Sequence, residues 1–174
     1  MSQNPAKEDV DEQSTQHYCC VVIPGLVEIN GPWKVLPPGI HDATMDEIKQ
    51  TFATNEVRTF LFEGFVRGVE ALARAGCLTL YLDGSFVTEK PNPGDYDVCW
   101  DAVGVNVNQL DPVLLDFSQL RKAQKQKFGG EFFPSGFSAH GTQPFMDFFQ
   151  IDKYTGNRKG ILRVNLTAKR SASP

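Results

Sequence analysis

Two short apolar runs, Cys77 to Leu82 and Asp95 to Trp100, constrain this chain most, because the loop between them opens with Gly84-Ser85 and closes on Pro93-Gly94-Asp95-Tyr96-Asp97. The first run follows a glycine helix stop and precedes a glycine turn, so it reads as a buried strand. The second reads as another strand, near enough in sequence to be its neighbour in one sheet. Strand side chains alternate between faces, so Asp95 and Asp97 project to the same side. Magnesium binds few carboxylate oxygens and completes its octahedron with water and substrate phosphates, which two parallel aspartates suit. A pair of such ions, about 4 Å apart, can activate an attacking oxygen and stabilise a leaving one. Gly84 has no side chain to keep phosphate oxygens from its backbone N–H, and Ser85 adds a hydroxyl donor. An aspartate pair after Pro-Gly is by itself more often a turn cap or a solvated strand edge. The combination carries the weight: an apolar strand, Gly-Ser, then an acid pair beginning eleven residues beyond Gly84 with apolar flanks.

The surrounding chain supplies helices. Thr44-Met-Asp-Glu47 fits a capping box opening a short helix that ends near Ala53. Asn55 caps a longer one, in which Phe60, Leu61, Phe65, Val69, Leu72 and Ala73 recur at helical spacing until Gly76 stops it. Tyr18 to Ile23 reads as a strand, Asp111 to Phe117 and Ser118 to Lys127 as helical, Glu131 to Phe133 as a short strand, Pro144 to Gln150 as a helical turn, and Gly160 to Leu166 as a final strand. Residues 1–17 and 167–174 are polar enough to read as flexible tails around one domain spanning 18–166. The expected fold is α/β (α+β), a small mixed sheet with helices on one face.

Composition narrows the function classes. A net charge of −4 carries no basic footprint for nucleic acid over the whole molecule, so any such contact is local. The four cysteines, Cys19, Cys20, Cys77 and Cys99, match neither zinc spacing nor a secreted disulfide framework and read as reduced and mostly buried. No apolar run approaches the roughly 20 residues that span a bilayer, and there is no apolar signal core. A cytoplasmic protein without membrane contact is expected.

Residues 78–98 resemble the motif of the polymerase β-type nucleotidyltransferase superfamily: an apolar strand, Gly-Ser or Gly-Gly, a variable loop, then an apolar-flanked Asp-x-Asp. With Leu36-Pro-Pro-Gly-Ile-His41, Phe148-Phe-Gln150 and Lys159-Gly-Ile161, the chain over 36–166 also looks like a little-characterised family of small bacterial and phage proteins placed in that superfamily. The resemblance implies a magnesium-dependent enzyme that moves an NMP from an NTP, ATP or another, to a hydroxyl of a protein or RNA acceptor. It is similar to minimal nucleotidyltransferases of toxin-antitoxin or phage-defence systems, with a cognate partner protein as one acceptor. Asp95 and Asp97 are then the metal ligands. The resemblance also calls for a third acid on a later strand, acting as ligand or base; Glu131 is chosen over Asp147, whose flanking aromatic residues suit a helix. After Gly84-Ser85 the toxin-antitoxin enzymes often continue Ala-Arg-Gly, whereas this chain has Phe86-Val87-Thr88. Positive charge for the phosphates must then come from Lys90 or from the segment bearing Arg121, Lys122 and Lys125. The alternative is a catalytically degenerate fold that serves as a nucleotide- or partner-binding regulatory module.

Other features have ordinary explanations. Phe132, Phe133, Phe137, Phe145, Phe148 and Phe149 could stack a base, but core packing is several times more common for such rings. His17, His41 and His140 have no ligand partners at metal spacing. Lys153, Arg158 and Lys159 fit a solvated turn, with a grip on triphosphate as the sharper option.

Overall fold

The protein is described by a computed structural model over residues 22–141 and 143–166. Both expected tails, Cys19, Cys20 and most of the Tyr18–Ile23 run lie outside these residues. Val22 and Ile23, the described end of that run, are not in a strand.

Both helix starts follow their caps. Thr44 Oγ1 accepts from the Glu47 N–H at 3.2 Å while the Glu47 carboxylate accepts from the Thr44 N–H at 2.7 Å, opening α1 (Met45–Phe52). Asn55 accepts from the Arg58 N–H at 2.9 Å to open α2 (Glu56–Arg74), and Gly76, at φ 93°, follows its end. Leu61, Phe65, Val69 and Leu72 form the buried stripe of α2, whereas Phe60, expected in that stripe, is 63% exposed.

Five strands form one mixed sheet. They are β1 (Gly39–Asp42), β2 (Thr79–Asp83), β3 (Asp97–Trp100), β4 (Glu131–Pro134) and, last in the chain, the strand Gly160–Asn165. Two short strands, β5 (Ser138–His140) and β6 (Gln143–Pro144), pair separately, so the last strand of the main sheet is β7. The order is β1-β7-β2-β3-β4, parallel between β1 and β7 and between β3 and β4, antiparallel at the two pairings of β2. The expected class, a small mixed sheet with helices, is present.

Three expectations need correction. The Asp95–Trp100 strand begins only at Asp97, because its partner β2 ends at Asp83, which pairs with Asp97. The Asp111–Lys127 stretch is largely 3-10 turn, with α3 confined to Lys122–Phe128. Asp111 and Asp116 carboxylates accept from Val113 and Ser118 N–H groups two residues on, a local pairing that competes with the helical ladder. Finally, helices lie on both faces. Leu80, Leu82, Val98, Trp100, Phe132, Leu162 and Val164 share a core with α1, α2 and α3, while Cys99, Phe133 and Ile161 pack with the short helix α4 (Phe145–Phe149) on the other side.

The larger core brings backbones very close. A Cβ on Gly64 would lie 1.8 Å from the Phe128 carbonyl oxygen, so α2 and α3 touch there through main chain. At Gly68 an added Cβ would lie 2.2 Å from the Phe132 ring, which the core fully buries. Gly68→Ala is therefore expected to destabilise the fold by about 1–3 kcal/mol through overpacking, despite alanine's better helix propensity. Urea unfolding checks this, and a midpoint at or above wild type would contradict it.

Candidate active site

The pairing register lines up three carboxylates. Asp83 ends β2 opposite Asp97, which starts β3, and Asp97 lies opposite Glu131, which starts β4. Each sits two residues from a side chain on the α4 face of the sheet: Asp83 from Tyr81, Asp97 from Cys99, Glu131 from Phe133. Strand alternation therefore turns all three to that face. Asp95 joins them because Tyr96, between the two aspartates, is fully buried on the opposite side. The Tyr96 hydroxyl donates to the Phe128 carbonyl at 2.7 Å, and its ring meets Phe65, Phe86 and Phe132 edge-on. That anchor holds the acid pair outward.

A cavity of about 400 Å³ opens over the row, a volume in the range of small-molecule sites. All six residues chosen from sequence, Gly84, Ser85, Lys90, Asp95, Asp97 and Glu131, line it. Asp147 does not; it is exposed on α4. Of the aromatic residues considered, Phe133, Phe145, Phe148 and Phe149 reach the cavity, Phe132 is core, and Phe137 lies against Phe117 elsewhere. Sequence reasoning missed Asp83, Trp33 and Tyr154 as lining residues. For Asp83 a signal existed: it ends an alternating strand immediately before the glycine turn.

Like charges side by side across strands repel, so the row needs compensation. Lys159 pairs with Asp83, both buried. Arg121 Nε donates to Glu131 at 2.7 Å, and Lys125 Nζ lies 2.6 Å from Glu131 and 3.2 Å from Asp95. The Asp97 carboxylate, in the middle, makes no hydrogen bond or ion pair with any described residue. Burial, then Asp83, Asp95 and Glu131, push its carboxyl up to about 8, with Lys159 only partly offsetting them. At Asp83 burial pushes the carboxyl up, against the pull of Lys159. Glu131 in turn raises the Lys125 ammonium above the usual lysine range.

The Gly-Ser turn is fixed from two sides. Gly84 has φ 87°, and a Cβ there would meet Asp97 Oδ2 at 2.8 Å and the Asp97 N at 2.9 Å, so glycine is required both by conformation and by contact with the acid row. Beyond it, the buried Arg58 guanidinium donates to the carbonyls of Phe86 at 2.7 Å, Thr88 at 2.6 Å and Lys90 at 2.5 Å, as well as to Phe52 at 3.1 Å. Arg58 thus holds the loop from Gly84 to Lys90 in place from α2.

The donor set suits a hard divalent cation: carboxylate oxygens only, with the unpartnered Asp97 among them. Three of the four acids already face cations of the chain, and among the described residues no group of three or more His, Cys, Asp or Glu side chains converges as metal ligands. Asp95 and Asp97 are the pair that would hold such an ion, with Glu131 beside them. No helix among the described residues is long and apolar enough to cross a membrane.

The model of a protein family of unknown function, DUF6932, matches residues 28–165. Comparison with curated proteins and with solved structures found no match.

Asp97 generates a pH dependence of stability. Its native carboxyl holds a proton up to about pH 8, against 3.8 for an ordinary aspartate, so between these values the native state binds more protons than the unfolded chain and stability falls as the pH rises. Asp97→Asn is expected to remove that slope and to stabilise the protein at pH 8 without divalent ions, by about 1–3 kcal/mol once water access to the cavity is allowed for. Thermal unfolding across pH 4–8 checks this; equal slopes in both proteins would contradict it.

Proposed function

The chain belongs to DUF6932, a family that brings no activity with it, and we propose from the site that the protein is a magnesium-dependent nucleotidyltransferase of the polymerase β type. The observation that carries this reading is the in-register row Asp83, Asp97 and Glu131, with Asp95 alongside, beneath a cavity edged by Gly84 and Ser85. Excess negative charge around an unpartnered carboxylate favours a divalent cation, and a glycine turn beside it favours the phosphates that accompany one.

In this reading an acceptor hydroxyl oxygen bonds to the α-phosphorus of a nucleoside triphosphate, the bond to the bridging oxygen breaks, and pyrophosphate leaves. Asp95 and Asp97 would hold a magnesium ion, which would supply charge neutralisation for the phosphates and activation of the attacking oxygen. Gly84 offers its backbone and Ser85 its hydroxyl to phosphate oxygens. Lys90, whose ammonium makes no hydrogen bond or ion pair with the described residues, supplies positive charge at the cavity edge. Glu131 completes the acidic set and, once free of Arg121 and Lys125, would take the acceptor proton. Lys159 and Asp83 position the strand end from which the glycine turn departs. The aromatic side of the cavity, with Trp33, Phe148 and Tyr154, suits a nucleobase. Catalysis is mainly positioning and charge neutralisation. The acceptor is a protein or RNA hydroxyl.

A second reading, a catalytically degenerate fold that binds a nucleotide or a partner, draws support from the chain's own cations seated on Glu131 and Asp95. Transfer of label from each α-labelled NTP, with magnesium, into total RNA and into lysate protein separates the two. The enzyme predicts label with wild type and a loss of at least about a hundredfold in Asp95→Ala/Asp97→Ala. No label from folded wild type in either pool would contradict it and favour the binding module.

A further inference from the structure

The segment that delivers Arg121 to the acid row is strained. Gln119, Leu120 and Arg121 take φ of 46°, 54° and 57° in succession, the left-handed region that crowds the Cβ of any L-residue against its own carbonyl. Runs of this kind need something to hold them. Packing does not do so, since Leu120 is 80% exposed and Gln119 is exposed as well. The firm contacts are those of Arg121: its Nε on Glu131 at 2.7 Å and its guanidinium 4.8 Å from the centre of the Phe133 ring. One helical turn on, Lys125 bridges Glu131 and Asp95. Between them Gln124 is fully buried, accepting from the Phe132 N–H at 2.7 Å and donating to the carbonyls of Leu114 and Asp116. Gln124 therefore fixes α3 to β4, while the residues on either side of it reach into the site.

We propose that Arg121 and Lys125 are a tethered cationic plug, held in the acid row by their ion pairs against the strain of a hinge at 119–121 and exchanged for a divalent cation when one binds. In the resting protein the two side chains neutralise Glu131 and Asp95. A divalent cation on Asp95 and Asp97 displaces them, the hinge relaxes out of the left-handed region, and both positive groups become free to face an anionic ligand such as a triphosphate. The inference rests on the proposed magnesium site for the identity of the cation. The exchange adds a control: the metal binds only as far as it outcompetes the chain's own charges. No covalent step is involved.

Calorimetric titration with manganese chloride alone tests the plug without relying on turnover. Arg121→Gln/Lys125→Gln is expected to bind manganese at least tenfold more tightly than wild type, and Asp97→Asn in that background to abolish the binding. Leu120→Asn bears on the hinge, because asparagine tolerates the left-handed conformation better than leucine and Leu120 loses little packing. It deepens the resting state, so manganese should bind two- to fivefold more weakly. Equal affinities in wild type and Arg121→Gln/Lys125→Gln, both abolished by Asp97→Asn, would overturn the plug and leave the metal site standing. Unchanged or tighter binding in Leu120→Asn would overturn the strained hinge. Absence of binding in every form, each folded by circular dichroism, would overturn both the plug and the metal reading beneath it.

Discussion

Three carboxylates meeting in register across adjacent strands are the constraint around which the rest of the structure is arranged. Asp83, Asp97 and Glu131 occupy paired positions on β2, β3 and β4, where repulsion weakens a sheet. The outer two are matched by Lys159 on one side and by Arg121 and Lys125 on the other. The carboxyl of the central one has no ion-pair partner among the described residues, and its proton is held up to about pH 8. Buried like charges are retained at a cost in stability, and a pocket containing such a group is where function is most reasonably sought.

The remaining architecture keeps that row open to one side. Tyr96 turns inward between Asp95 and Asp97 and is locked by aromatic contacts and a bond to Phe128, so the loop before β3 cannot rotate its acids away. Gly84 brings the end of β2 against Asp97 at a distance no side chain permits. Arg58, reaching up from α2, satisfies the carbonyls of the loop after it, and Gly64 and Gly68 let α2 press close to α3 and β4 at the Glu131 end of the row. The α1–α3 face thus supplies stability, and the α4 face supplies the cavity.

Local chemistry made part of this legible in the sequence. The capping box at Thr44, the cap at Asn55 and the stop at Gly76 each act within a few residues, and the helices begin and end accordingly. Asp95 and Asp97 share a face because of a period of two, and Gly84 and Ser85 were marked by following an apolar strand. Features set by distant pairing were not legible. Asp83 joins the row only through the β2–β3 register, and Lys159 comes to it from 76 residues away. Arg58 looks like an ordinary exposed helix charge until the loop it holds is folded over it. The 111–121 stretch reads as helical by composition, yet short-range bonds to Asp111 and Asp116 divert it, and with that diversion came the unexpected position of Arg121.

The central claim is that Asp97 is a frustrated carboxylate awaiting a divalent cation, and the most direct measurement is a carbon-13 NMR titration of the Asp and Glu side-chain carboxyls, with Asp97 assigned by its loss in Asp97→Asn. Without divalent ions one carboxyl should titrate near pH 8, and magnesium should bring its midpoint well below neutrality. If every carboxyl titrates in the ordinary range of about 3–5, or magnesium leaves the Asp97 curve where it was, the account of the site is wrong.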